Sequence, residues 1–274
     1  MSNIDPLYFV TPVVVISFSA GLVLYWHFAR RFTRWTLLYS LVAYGGAIAL
    51  KYGVQIPTFH AYSQAVGSAP AALGLYYGVQ TALFEVGGAY VVASYAVSKR
   101  KLSDADATGY GIGLAFWENG VLIGLPLLVE YIALYAVLSV PGSAAAQAAS
   151  SLLSKSSPGL FYGPAQALPL IGLSLLERVS SLIAHLSWGV LAVLAAALGR
   201  RKYLAAAFPL GFIVDFLVPF AGVMGLGVFE FTLFAVSLAF LVVTLAIARG
   251  AKKGAAAAAV ETVPPAAGAP ASDG

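Results

Sequence analysis

The chain has 274 residues, of which 60% are hydrophobic and only 9% are charged, and its mean hydropathy is +0.88. Soluble domains average about 25% charged residues, so this composition excludes an ordinary soluble domain and indicates a polytopic membrane protein. The absence of cysteine excludes disulfides, thiolate metal sites and cysteine nucleophiles. The net charge of +4 comes from basic residues clustered between apolar segments, which favours anchoring at the membrane interface and argues against a nucleic-acid partner.

Seven apolar segments are long enough to cross a bilayer, because a spanning helix needs about 20 apolar residues. In chain order they are 7–29, 35–54, 71–98, 107–140, 168–199, 203–223 and 228–249. The N-terminus lacks the basic region of a cleavable signal, so the first segment is interpreted as a retained helix.

The stretches between these segments are polar or contain helix-breaking residues. Residues 55–70 are predicted to form a polar loop, and 141–167 a long outer loop with room for a short helix. The fourth segment is longer than one upright span requires, and Pro126 predicts a kink in it. A break into two crossings is rejected, because it would place the later basic clusters outside.

The basic residues predict the orientation of the bundle. With seven crossings, all of the fifteen Lys and Arg except Lys51, Lys155 and Arg178 lie on one side. The positive-inside rule then places the N-terminus outside and the C-terminus in the cytoplasm. The predicted fold is an all-α polytopic transmembrane helix bundle of about seven spans in the cell (plasma) membrane. It forms a single domain over 1–253 with its core at 71–223, and a disordered Ala/Pro-rich tail follows over 254–274.

Four of the predicted spans each carry an ionisable side chain near the same depth. Glu85, Glu118, His185 and Asp215 lie about 16–21 Å from the cytoplasmic ends of their helices at 1.5 Å per residue. Such groups cost roughly 2.5 kcal/mol or more in hydrocarbon and usually face a bundle interior. Because the four helices are consecutive, they are expected to pack and to form a divalent-metal site. The alternative for each carboxyl is a protonated group that bonds to a neighbouring helix.

Glu177 and Arg178 form a separate pair on the helix of His185. Glu177, Ser181 and His185 are spaced by four residues and share one helix face. Glu177 is therefore expected either to orient the region around His185 or to be a structural ion-pair partner of Arg178.

Four stretches, in order, resemble the motifs of one known family. They are the Phe84–Tyr90 stretch, the glycine-rich stretch ending in Glu118-Asn119, Glu177-Arg178 with His185 seven residues after Arg178, and the stretch from Ala207 to Phe216. Together they resemble the YhfC-like intramembrane metalloproteases, relatives of the PrsW and CAAX-processing protease clan. The resemblance covers roughly residues 80–220.

The resemblance implies metal-assisted hydrolysis of a peptide bond in a membrane-embedded or lipidated peptide. By position, Glu85 and Glu118 would be catalytic, with Glu85 as general base. Glu118, His185 and Asp215 would hold a divalent metal, which zinc fits best. The chain departs from the family motifs where they have a second glutamate, a basic residue and a histidine, which are here Val86, Ala89 and Gly211.

Three functions remain open from the sequence. The first is an intramembrane metalloprotease. The second is a non-catalytic relative that binds a membrane peptide or lipid. The third is a proton-coupled transporter, although no inverted repeat is visible. Serine and aspartyl proteolysis are disfavoured, because there is no G-x-S-x-G motif and Asp215 is the single aspartate within a predicted span.

Overall fold

The computed structural model describes residues 3–30, 32–140 and 142–261, and within these ranges it contains helices and no strand. The helices are α1 (Val10–Arg30), α2 (Arg34–Val66), α3 (Pro70–Gln80), α4 (Gly87–Ser98), α5 (Ala107–Ala115), α6 (Leu125–Leu138), α7 (Ala144–Ser156), α8 (Pro164–Ala197), α9 (Arg201–Leu217), α10 (Ala221–Met224) and α11 (Leu226–Glu261). Two π-helical segments, Thr81–Val86 and Phe116–Gly124, join α3 to α4 and α5 to α6. The predicted all-α polytopic bundle is confirmed.

Six helical stretches are long and apolar enough to cross a membrane. They are Pro6–Ala29, Arg34–Val66, Asp104–Leu138, Pro164–Ala197, Arg201–Met224 and Leu226–Ala251. The further predicted span at 71–98 is helical through α3, the first π segment and α4. The number of crossings and their orientation stay predictions.

The structure differs from the sequence-based boundaries in two places, at the end of α2 and at the start of the predicted tail. Helix α2 continues to Val66 with Pro57 inside it, through most of the predicted loop at 55–70. A proline is tolerated within a membrane helix when its surroundings satisfy the freed carbonyl. At Pro126 the helix is continuous, in agreement with the rejection of a break there, and the second π segment ends two residues before the proline. Helix α11 extends through Glu261, into the predicted tail, and residues 262–274 lie outside the described ranges.

Helix α8 lies at the centre of the bundle and packs against α4, α5, α9 and α11. Its cytoplasmic half, by the predicted orientation, is apolar on nearly every side, and Trp188, Leu191 and Val193 are fully or almost fully buried there. A helix that is apolar all round belongs in an interior, as this one does. The buried Tyr110 of α5 donates a hydrogen bond to the Ala89 carbonyl at 2.9 Å and so ties α5 to α4.

Close glycine contacts set the spacing of the helices that carry the ionisable residues. A Cβ at Gly111 would lie 2.6 Å from the Leu186 carbonyl oxygen, and one at Gly189 would lie 2.5 Å from Gly111 Cα. Gly74 and Gly78 of α3 press in the same way on the backbone of α9. Small residues allow such close helix approach in membranes. These contacts hold the helix of Glu118 against that of His185, and the helix of Glu85 against that of Asp215.

Candidate functional site

The four predicted ionisable residues line one cavity. A cavity of about 410 Å³ is bordered by Glu85, Glu118, His185 and Asp215, together with Lys51 and others. The side chain of His185 is 4% exposed and that of Glu85 is 8% exposed. The four residues that the sequence places at a similar depth therefore line the same cavity inside the bundle.

The two glutamates that face His185 lie in π-helical segments. Glu85 is in Thr81–Val86, where the Gly87 amide bonds to the Ala82 carbonyl five residues earlier. Glu118 is in Phe116–Gly124, where the Leu125 amide bonds to the Gly120 carbonyl, again five residues earlier. A π turn adds a residue to the helical turn and changes which side chains face inward, and such turns are frequent at functional sites. The sequence motifs gave no indication of them.

The imidazole of His185 lies between the two glutamates. Its Nδ1 is 2.7 Å from Glu118 Oε2 and 3.0 Å from the Ser181 carbonyl oxygen. Because both of these oxygens are acceptors, Nδ1 carries a proton and donates it. Its Nε2 is 3.3 Å from Glu85 Oε2, and it has no hydrogen-bond partner among the described residues. One carboxylate therefore fixes the ring, and the other faces its second nitrogen.

Aromatic rings and a serine hydroxyl hold this arrangement in place. The Tyr44 ring packs edge-on against the imidazole at 5.5 Å, and the Trp188 ring lies at 4.2 Å from it. The Ser181 hydroxyl donates to Glu118 Oε2 at 2.5 Å and accepts from Asn119 Nδ2 at 3.2 Å. The carboxylate of Glu118 thus contacts both the Ser181 hydroxyl and the His185 ring, and its fixed position orients His185.

Lys51 is a site residue that the sequence analysis missed. Its ammonium lies 2.6 Å from Glu85 Oε1, 2.9 Å from Asp215 Oδ2 and 2.9 Å from Thr81 Oγ1. The Thr81 hydroxyl also donates to Asp215. The second predicted span ends at 54, which places Lys51 near its outer end. The continuation of α2 to Val66 puts Lys51 in mid-helix, and a cation within an apolar span is the signal that could have identified it.

Glu177 and Arg178 lie at the border of the same cavity, and they form an ion pair with each other. Arg178 is 14% exposed and Glu177 is 39% exposed. Arg178 Nη1 is buried without a hydrogen-bond partner in the described part of the chain. Of the two roles expected for Glu177, the ion-pair contact with Arg178 is the one seen.

Two of the departures from the family motifs are in contact. A Cβ at Gly211 would overlap Val86 Cγ2, so the valine side chain fills the space beside this glycine. Val86 is completely buried, and so is Ala89. The apolar side chain of Val86 therefore occupies the space beside Gly211, and a larger residue at Gly211 requires a smaller one at Val86.

The three predicted metal ligands do not converge on one point. Glu118 is on the Nδ1 side of the His185 ring, Glu85 is on the Nε2 side, and Asp215 bonds to the Lys51 ammonium. Among the described residues, no group of three or more His, Asp or Glu is arranged to hold a metal ion. A catalytic zinc site has three protein ligands, whereas the described residues offer two donor atoms that face each other, His185 Nε2 and Glu85 Oε2. The donor set does not fit such a centre.

Comparison with known proteins gives one family. The family model described as YhfC intramembrane metalloprotease matches residues 14–238. That description implies a divalent metal. No curated protein and no solved structure matches the chain. The matched residues include every residue of the cavity discussed above.

Proposed function

Since the chain belongs to the YhfC intramembrane metalloprotease family, we propose that it hydrolyses a peptide bond of a membrane-embedded or lipidated peptide that enters the charged cavity. The observation that carries this proposal is the contact of His185 with both Glu118 and Glu85 at the border of a cavity inside a membrane bundle, where His185 and Glu85 are buried. The cell (plasma) membrane is the proposed location of this multi-pass protein.

In the proposed reaction, Glu85 accepts a proton from a water molecule as the water oxygen attacks the peptide carbonyl carbon. The new C–O bond forms, the C–N bond breaks, and the proton passes from Glu85 to the leaving nitrogen. His185 lies beside Glu85 and positions the water, while Glu118 and Ser181 hold the ring in one tautomer. A general base of this kind contributes about 10²–10⁴-fold to the rate.

Zinc is the metal proposed from the sequence, and Glu118, His185 and Asp215 were its proposed ligands. The observed arrangement offers a metal His185 Nε2 and Glu85 instead, which is one ligand short of a catalytic zinc site. Zinc content is therefore measured on the same samples as cleavage, so that hydrolysis and metal binding are judged separately.

The test uses the full chain in proteoliposomes with a set of single-span and lipidated peptides, and mass spectrometry detects the products. We expect cleavage by the wild type and a fall of about 10²-fold or more in Glu85→Gln. Glu130→Gln is the matched control, because Glu130 is an exposed glutamate that does not border the cavity. Equal cleavage by wild type and Glu85→Gln would exclude Glu85 as the base.

A second candidate is a non-catalytic protein that binds the same peptides. It is favoured by the ammonium of Lys51, which lies 2.6 Å from Glu85 and weakens it as a base by charge pairing. In this case a bound peptide can be photo-crosslinked both to the wild type and to the Glu85→Gln variant. No peptide in the set is cleaved by either protein.

A further inference from the structure

Lys51 reaches from α2 into a cage of three oxygens that come from two other segments of the bundle. Glu85 and Thr81 belong to the first π segment, and Asp215 belongs to α9. An ammonium group has three protons, and each of the three oxygens lies within 2.9 Å of Lys51 Nζ. The side chain of Lys51 is 12% exposed. The ammonium therefore has one N–H donor for each of the three oxygens of the cage.

The oxygens of this cage are those that a divalent cation would also use. Two carboxylates and a hydroxyl are hard donors of the kind that suit Mg²⁺, Ca²⁺ and Mn²⁺. Two carboxylates held close together in an apolar bundle need a positive charge between them, because isolated charges are costly there. Arg178, the other cation that borders the cavity, pairs with Glu177 instead.

We infer that Lys51 is the resident cation of this site, and that its ammonium takes the place that a divalent metal would otherwise occupy among Glu85, Thr81 and Asp215. This accounts for the incomplete metal-ligand set of the described residues, since two of the acidic groups already share the ammonium of one side chain. Removal of the lysine side chain opens a divalent-cation site at the same oxygens. The inference holds whether or not the chain cleaves peptides.

The test measures metal content in the purified full chain in detergent. Samples are stripped with EDTA and dialysed against Mn²⁺ or Zn²⁺, and metal per chain is then determined by mass spectrometry. We expect no stoichiometric metal in the wild type and about one ion per chain in Lys51→Ala. The ion should be lost again in Lys51→Ala/Glu85→Gln/Asp215→Asn. Lys155→Ala is the matched control, because Lys155 is exposed and does not border the cavity, and it should behave as the wild type.

Two results would overturn the inference. One is stoichiometric metal in the wild type that disappears with Glu85→Gln, and the other is a folded Lys51→Ala protein that takes up no metal. If Lys51→Ala does not yield folded protein, the triple variant decides, because neutral cage groups no longer need a cation. It should then give a monodisperse peak in gel filtration, and its failure to fold would also contradict the inference. None of these results depends on peptide cleavage.

Discussion

Replacement of Gly111 by alanine should force α5 and α8 apart. The added Cβ would lie 2.6 Å from the Leu186 carbonyl oxygen and 2.9 Å from Leu186 Cα, which are backbone atoms that no rotamer change can move. Ordinary contacts begin near 3.4 Å, so the helices must separate by about 0.8 Å. Overpacking of this kind costs about 1–3 kcal/mol of unfolding free energy.

The same separation should weaken the site, because Glu118 is seven residues after Gly111 on the same continuous helix. A shift of about 0.8 Å would lengthen the 2.7 Å contact between Glu118 Oε2 and His185 Nδ1 to the limit of a hydrogen bond. The measurement is reversible unfolding in mixed detergent micelles that contain increasing SDS, followed by tryptophan fluorescence.

Gly172→Ala is the matched control for this prediction. Gly172 is also in a membrane helix, α8, but a Cβ there meets no atom within 4 Å. Its stability should be unchanged or raised by about 0.5–1 kcal/mol, the helix advantage of alanine over glycine. If Gly111→Ala is as stable as Gly172→Ala, the Gly111 contact does not set the helix spacing and the reasoning is wrong.

Three further predictions concern single contacts, each checked by the same unfolding measurement. Gly211→Ala should lower the unfolding free energy by about 1–3 kcal/mol, because the added Cβ overlaps a methyl group of Val86. Adding Val86→Ala to the same chain should recover part of this loss, because that methyl group is gone. If the double variant loses the sum of the two single-variant losses, the two positions are not coupled. Ser181→Ala should cost about 1–3 kcal/mol, since it removes the hydroxyl that donates to the largely enclosed Glu118 at 2.5 Å, and a neutral effect would show that the carboxylate finds another donor. Trp117→Phe should cost about 1 kcal/mol through the lost 3.0 Å bond from the indole to a backbone carbonyl of α2, and it should leave peptide cleavage unchanged.

The amino-acid sequence by itself determined the class of the protein and predicted a shared depth for four of its ionisable groups. Apolar segments of membrane length and the positions of Lys and Arg are local properties, so they can be read without knowing how the helices pack. For the same reason Glu85, Glu118, His185 and Asp215 could be assigned to one layer, and the structure has them around one cavity.

Only the tertiary structure decided which of these groups touch each other. The π segments around Glu85 and Glu118 change the helix phase, and one added residue rotates a side chain by about 100°. The sequence also could not give the end of α2, on which the position of Lys51 depends. Helix rotation and length are set by packing against neighbours, and they decide that His185 contacts two glutamates while Asp215 pairs with a lysine.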